Sequence, residues 1–208
     1  MISWFDDAQD EDDEFIEAAK AIKLLALDVD GVLTDGTIYI AADGECFKGF
    51  NAKDGMGISC ALRNGLDVAI ITGRKSEIIH RRAEELGITT IIEGAKDKSE
   101  ALRSLRRLRG LSVEEVALRS LRRLRGLSVE EVAYVGDDLN DLPAFAESGL
   151  TFAPDDAAED VYDAADIGLD NSGGRGAVRE AIEYILAAQD KWEKIVASYE
   201  QAGQGDRQ

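Results

Sequence analysis

With 208 residues, 45% of them hydrophobic, the chain can bury one sizeable core. It sets 42 acidic residues against 24 basic ones, a formal charge of −18, which excludes a nucleic-acid binder that works by neutralising phosphates. Cys46 and Cys60 lack metal or redox spacing and fit packing in a reducing compartment better than a disulfide scaffold. The amino terminus is acidic rather than basic-then-apolar, and no apolar run approaches membrane-spanning length. A cytoplasmic protein with no membrane partner is the expectation.

Taken in order, residues 1–14 are an acidic stretch with Trp4 and Phe5 as its only bulky anchors, and are expected to be mobile. A short helix from about Asp13 to Ala21 leads into Leu24–Leu27, a continuous apolar run as expected of a parallel strand buried on both faces. That run stops at Asp28-Val29-Asp30-Gly31. Strand ends are where open α/β sheets place ligands. Two carboxylates flanking one Val repel each other unless a cation sits with them. Thr37–Ile40, Asp43-Gly44 and Cys46–Lys48 spell a β-hairpin with a tight primed turn, overhanging that strand end. Next comes a helix to about Asn64, stopped by Gly65.

A second buried strand, Val68–Ile71, ends in Thr72-Gly73-Arg74. Ser76 is placed to cap a helix that Gly87 closes. Arg74 is a candidate for a substrate carboxylate, which suits a planar guanidinium. His80, the only histidine, reads as packing or surface. A third strand, Thr89–Ile92, precedes Asp97-Lys98-Ser99-Glu100, which has capping-box spacing. Lys98 therefore lies in a helix's first turn, where a cation is disfavoured and wants a reason. A fourth strand, Val132–Val135, runs into Gly136-Asp137-Asp138-Leu139-Asn140-Asp141, a dense set of oxygen ligands without the Gly and terminal Glu of an EF-hand loop. After a helix ending near Ser148, Leu150–Ala153 and Ile167–Leu169 are short strands. Asn171–Gly176 is a flexible link carrying Arg175, and one helix is expected from Ala177 to about Ala202.

Residues 102–117 and 118–133 are the same sixteen residues, Leu-Arg-Ser-Leu-Arg-Arg-Leu-Arg-Gly-Leu-Ser-Val-Glu-Glu-Val-Ala, without a mismatch. Two copies at this period do not make a solenoid. They read as a tandem duplication inserted into an otherwise complete fold. Lys98 precedes the first copy, and only the second continues into Tyr134–Asp138. If both ends serve one site, the first Leu102–Arg109 helix stays in place and the surplus folds as an amphipathic helix from about Val113 to Leu124, started by Ser112 and Glu115. The rival register docks the second copy and pulls Lys98 away.

Asp28 to Thr34 matches the haloacid dehalogenase superfamily signature, Asp-x-Asp-Gly-x-x-Thr, without departure. The resemblance implies a doubly wound, Rossmann-like parallel sheet, with Asp28 as nucleophile and Asp30 as general acid and base. An acid at the second position favours a phosphatase or phosphomutase over a dehalogenase or ion pump. It further implies that Thr72 binds the phosphoryl group, that Lys98 pairs with Asp28 and the phosphoryl oxygens, and that Asp137 ligates Mg²⁺. The Asp28 side chain and Asp30 carbonyl complete that ligand set, with Asp138 and Asp141 in support.

In finer detail the chain resembles the 3-deoxy-D-manno-octulosonate 8-phosphate phosphatases. The matching pieces are Asp28–Gly36, the hairpin through Lys48 and Phe50-Asn51 to Asp54-Gly55, Thr72–Arg74, Gly136–Asp138 and Gly173–Arg179. This likeness covers residues 15–190, one capless domain with a hairpin flap after the first strand; residues 191–208 form the end of the last helix and a tail. It implies an eight-carbon phosphorylated sugar acid from lipopolysaccharide synthesis as substrate, bound by Lys48, Asp54, Gly73, Arg74 and Arg175. It also implies a homotetramer in which hairpins and tails complete neighbouring sites. The alternatives are a phosphatase of a nine-carbon sialic-type acid and a non-catalytic assembly domain.

Overall fold

The computed structural model describes residues 10–42, 44–107 and 126–205. Helix α1 (Asp10–Ala21) leads into strand β1 (Leu24–Leu27), and a small hairpin follows, β2 (Tyr39–Ala41) with β3 (Gly44–Phe47). Then come α2 (Ala52–Arg63), β4 (Asp67–Ile71), α3 (Glu77–Leu86), β5 (Thr90–Ile92) and α4 (Lys98–Arg107). The second half holds β6 (Val132–Val135), α5 (Leu142–Phe145), β7 (Leu150–Ala153), α6 (Glu159–Tyr162), β8 (Ile167–Gly168), α7 (Ala177–Ala188) and α8 (Trp192–Gly205).

The strands form one six-stranded parallel sheet in the order β5-β4-β1-β6-β7-β8. Leu24–Leu27 and Val132–Val135 are buried throughout, as a strand covered by helices on both faces requires. One face carries a core of α1, α2, α3 and α7 residues, including Ile58, Ile79, Ile182 and Ile185; the other is covered by α4, α5 and α6 through Leu102, Leu105, Phe145 and Val161. In the paired register Leu27 lies beside Ile70 on one side and Val135 on the other. Asp28, the segment at Thr72 and Gly136-Asp137 therefore leave the sheet at one level. The chain crosses from the β1-β4 side to the β6 side there, the crevice where this architecture binds ligands.

The hairpin pairs antiparallel, with a register shift between Tyr39 and Ile40, and both strands are exposed along their length. Asp43 of its expected turn lies outside the described residues.

Of the two possible arrangements of the repeat, the first copy's helix is the one docked. Leu102 and Leu105 are buried, and Arg103 and Arg106 both reach Glu147, at 3.1 and 2.7 Å. The Gly126 N–H donates to Arg106 O at 3.2 Å. Gly126 stands in the second copy where Gly110 stands in the first, and in a single-copy chain the same bond would be an ordinary i to i−4 closure. The expected surplus helix from Val113 to Leu124 lies outside the described residues.

The carboxyl-terminal helix departs from expectation. It breaks at residues 189–191 into α7 and α8, with Asp190 in the left-handed region at φ 54°. Lys191 N donates back to Leu186 O at 2.9 Å, the closure of a Schellman turn, and the Gln189 carboxamide donates to Ala19 O and Ile22 O at 3.2 and 2.8 Å. These bonds tie the break to the end of α1.

Candidate active site

The turn after β1 is wound around a single carbonyl. Leu33 N and Thr34 N donate to Val29 O at 2.9 and 3.0 Å, and the Thr34 hydroxyl lies 3.3 Å from the same oxygen. Thr34 is thus the staple of the turn. Asp28 N donates to Val135 O at 3.1 Å, fixing the first carboxylate against β6. Gly31 passes so close over Asp137 that a Cβ there would overlap its carboxylate. Only glycine fits that approach.

Lys98 explains itself. Asp97 Oδ1 accepts from Ser99 Oγ at 2.6 Å and Glu100 N at 3.0 Å, which starts α4 at the residue whose side chain crosses to the strand ends. Its Nζ lies 2.9 Å from Asp28 Oδ2 and 2.6 Å from Asp141 Oδ1, and the side chain is 1% exposed. A buried ammonium between two carboxylates offsets the unfavourable helix start. Burial works against its charge, but Asp28 and Asp141 outweigh burial and hold the pKa above the usual value.

Oxygens of Asp28, Asp137 and Asp141 lie within 4.8 Å of one another. Burial, then the charge of Asp141, push the Asp28 carboxyl up to about 6 against the pull of Lys98. Burial and the charge of Asp28 push Asp137 up to about 8. One lysine does not neutralise three carboxylates. Asp137 Oδ1 is buried and has no hydrogen-bond partner among the described residues. A crowded, under-neutralised set of hard oxygens with one lone acceptor fits a divalent cation such as Mg²⁺, which favours oxygen ligands and needs few carboxylates.

A second layer lies outward. Lys48, at the foot of the hairpin, pairs with Asp30 and, at 3.1 Å, with Glu45; its side chain is 3% exposed. Glu45 in turn accepts from the Ser76 hydroxyl, so the hairpin is tied to both the β1 and the β4 loop. Arg74 Nε stands 3.6 Å from Asp30 Oδ2 with its side chain more than half exposed, free to meet a solute. Thr72 is buried and accepts from Arg74 N at 3.3 Å, while Gly73 and Arg175 are exposed. His80 faces outward and pairs with Glu93 at 3.0 Å.

Two of the expected site residues stand apart from the cluster. Asp138 does not join the acidic cluster: it is exposed, and its Oδ1 accepts from Leu139 N at 2.7 Å. Its place in the cluster is taken by Asp141. Asp54 stands apart as well. It is 1% exposed and accepts from Arg179 N at 2.9 Å, where its charge suits the amino end of α7. Sequence reasoning missed Tyr134 and Glu45 altogether. A tyrosine in a buried strand reads as core, and an exposed hairpin glutamate as solvated surface.

A family model described as haloacid dehalogenase-like hydrolase matches residues 52–149. The 3-deoxy-D-manno-octulosonate 8-phosphate phosphatase of Yersinia pestis is 43% identical over 181 residues, 87% of this chain and 88% of its own length. The chain belongs to the 3-deoxy-D-manno-octulosonate 8-phosphate phosphatase family. Another member, from Escherichia coli K12, is 42% identical over 178 residues, 86% of each chain. The phosphatase of Moraxella catarrhalis, solved in complex with a magnesium ion, a phosphate ion and a KDO molecule, superposes with a TM-score of 0.78 at 38% identity, covering 90% of this chain and 98% of that one. The sixteen-residue repeat falls inside the span of this chain that the family model matches.

Proposed function

We propose that this chain hydrolyses 3-deoxy-D-manno-octulosonate 8-phosphate to the free sugar acid and phosphate, with Mg²⁺ held by Asp28 and Asp137 and by the Asp30 carbonyl. The observation that carries the reading is Lys98. A lysine reaching Asp28 from the start of α4, beside an acid with an unpartnered oxygen, is the charge arrangement a transferring phosphoryl group needs. Family membership supplies the substrate class.

Asp28 is the nucleophile: an oxygen attacks phosphorus in line, giving an aspartyl-phosphate, and the sugar alkoxide leaves. Asp30 protonates that alkoxide, then takes a proton from the water that cleaves the acyl phosphate. Lys98 and the Thr72 hydroxyl neutralise and orient the phosphoryl oxygens. When bound, the ion supplies Lewis-acid stabilisation of charge on those oxygens. Arg74 and Lys48 hold the substrate's carboxylate end, joined by Arg175 from a neighbouring subunit.

A homotetramer accords with a hairpin that buries neither face while exposing Ile40 and Phe47. Among the described residues no helix is long and apolar enough to cross a membrane; the cytoplasm is the proposed location. The test is Mg²⁺-dependent phosphate release from the eight-carbon acid phosphate, compared by kcat/KM with a nine-carbon sialic-type acid phosphate and simple esters. Highest kcat/KM on the eight-carbon acid is expected. Preference for the nine-carbon acid would overturn the substrate, and no release from any ester would overturn the reaction.

A further inference from the structure

Behind the phosphoryl site lies a second ring of donors built around one carboxylate. Asp141 has no solvent exposure, and its two oxygens meet four donors. Oδ1 accepts from Lys98 Nζ at 2.6 Å and from the Tyr134 hydroxyl at 2.7 Å. Oδ2 accepts from the backbone N–H of Asp137 at 3.1 Å and of Asp138 at 3.4 Å. A carboxylate offers about four lone-pair sites. Asp141 is therefore saturated, whereas Asp137 keeps a buried oxygen with no partner among the described residues.

We infer that Asp141 serves the site as a hub that aims Lys98 and the Asp137 backbone rather than as a ligand of the ion, and that Tyr134 is the positioning residue that locks this hub. Tyr134 is fully buried in β6, paired with Ala26 of β1 and packed edge-on against Phe145 at 6.1 Å. A buried phenol must find an acceptor. Here the acceptor is the carboxylate that also holds the catalytic lysine. Of the four donors only the phenol is both neutral and removable without changing backbone or charge. With it gone, one lone pair of Oδ1 is released, and Lys98 is drawn toward Asp141 and away from Asp28. Charge stabilisation of the phosphoryl group is then lost in the transition state, while the groups that bind the sugar acid are untouched.

Tyr134→Phe keeps the ring and its packing, so it carries the decision, with Asp141→Asn and Asp137→Asn beside it. The first readout is Mg²⁺ titration by calorimetry without substrate. Tyr134→Phe is expected to bind like the parent, Asp141→Asn to weaken binding in part, and Asp137→Asn to abolish it. The second is turnover, on the sugar acid phosphate and on para-nitrophenyl phosphate. Tyr134→Phe is expected to lose about 10- to 100-fold in kcat with KM unchanged, the usual range for an outer-shell partner. A Tyr134→Phe variant that melts lower but turns over like the parent would reduce Tyr134 to a packing residue and overturn the proposal. Loss of Mg²⁺ binding in Asp141→Asn as complete as in Asp137→Asn would make Asp141 a ligand and overturn the hub. The turnover arm rests on the phosphatase reading. Should the parent cleave no ester, that reading fails, while the calorimetric order still decides the role of Asp141.

Discussion

Glu180 and Asp137 are two acids of this fold that differ in what faces them. Glu180 is 4% exposed, and three donors meet it: Asp170 N and Asn171 N at 2.9 Å each and Asn171 Nδ2 at 2.7 Å. Asp137 faces Asp28 and Asp141 and keeps an oxygen without a partner among the described residues. Burial alone does not make an acid functional. An acid met by fixed N–H groups holds a loop in place; acids left facing one another store repulsion that a cation relieves.

The sharpest way to break that comparison is Asp28→Asn. Phosphate release should fall by about 10⁴-fold or more, because the nucleophile is gone while the fold is not. The metal-free variant should melt higher than the metal-free parent, since one of the crowded charges has been removed. A variant that kept even a tenth of the parent's rate would remove Asp28 from the chemistry.

Stability against pH is next. Asp137 and Asp28 hold protons more tightly in the native chain than in the unfolded one, at about 8 and about 6. Between pH 4 and 8 the native state therefore binds more protons, and the metal-free protein loses stability as pH rises through that window. With EDTA, the melting temperature should fall across that window by on the order of 10 °C or more. Saturating Mg²⁺ should flatten or reverse the trend, and a flat profile in both conditions would count against the shared cation. Glu180→Ala should do the opposite of Asp28→Asn. It strands the donors around Asp170 and Asn171 and should cost about 3 kcal/mol in urea unfolding, at any metal concentration. The smallest effect should come from deleting one sixteen-residue copy. Gly110 then closes α4 as Gly126 does now, kcat should not change, and the melting temperature should stay level or rise, because a shorter connection loses less entropy on closure. A single-copy chain with lower kcat would give the repeat a role in the site.

Much of this was legible in the residues, and for physical reasons. A parallel strand buried on both faces has one sequence form, so Leu24–Leu27 and Val132–Val135 could be placed from their apolar runs and their polar ends. Lys98 betrayed itself by standing where a helix dislikes a cation. What the residues hid was direction. Asp137, Asp138 and Asp141 are chemically alike, and only the turn of the backbone decides that Asp138 caps Leu139 while Asp141 points inward. Asp54 was assigned to the substrate because nothing local says that α7 will lay its amino end across it. The break at Asp190 was invisible because its causes, Ala19 and Ile22, lie at the other end of the chain.

The wall behind the nucleophile comes from far along the polypeptide. Gly173 lies against the Gly31 carbonyl so closely that a side chain would overlap it, and Gly174 N donates to Val32 O at 2.9 Å. On the ribosome, the strand bearing Asp28 emerges early and waits for residue 174 before its turn is clasped. A chain cut before residue 173 would lack this clasp on the turn that follows Asp28.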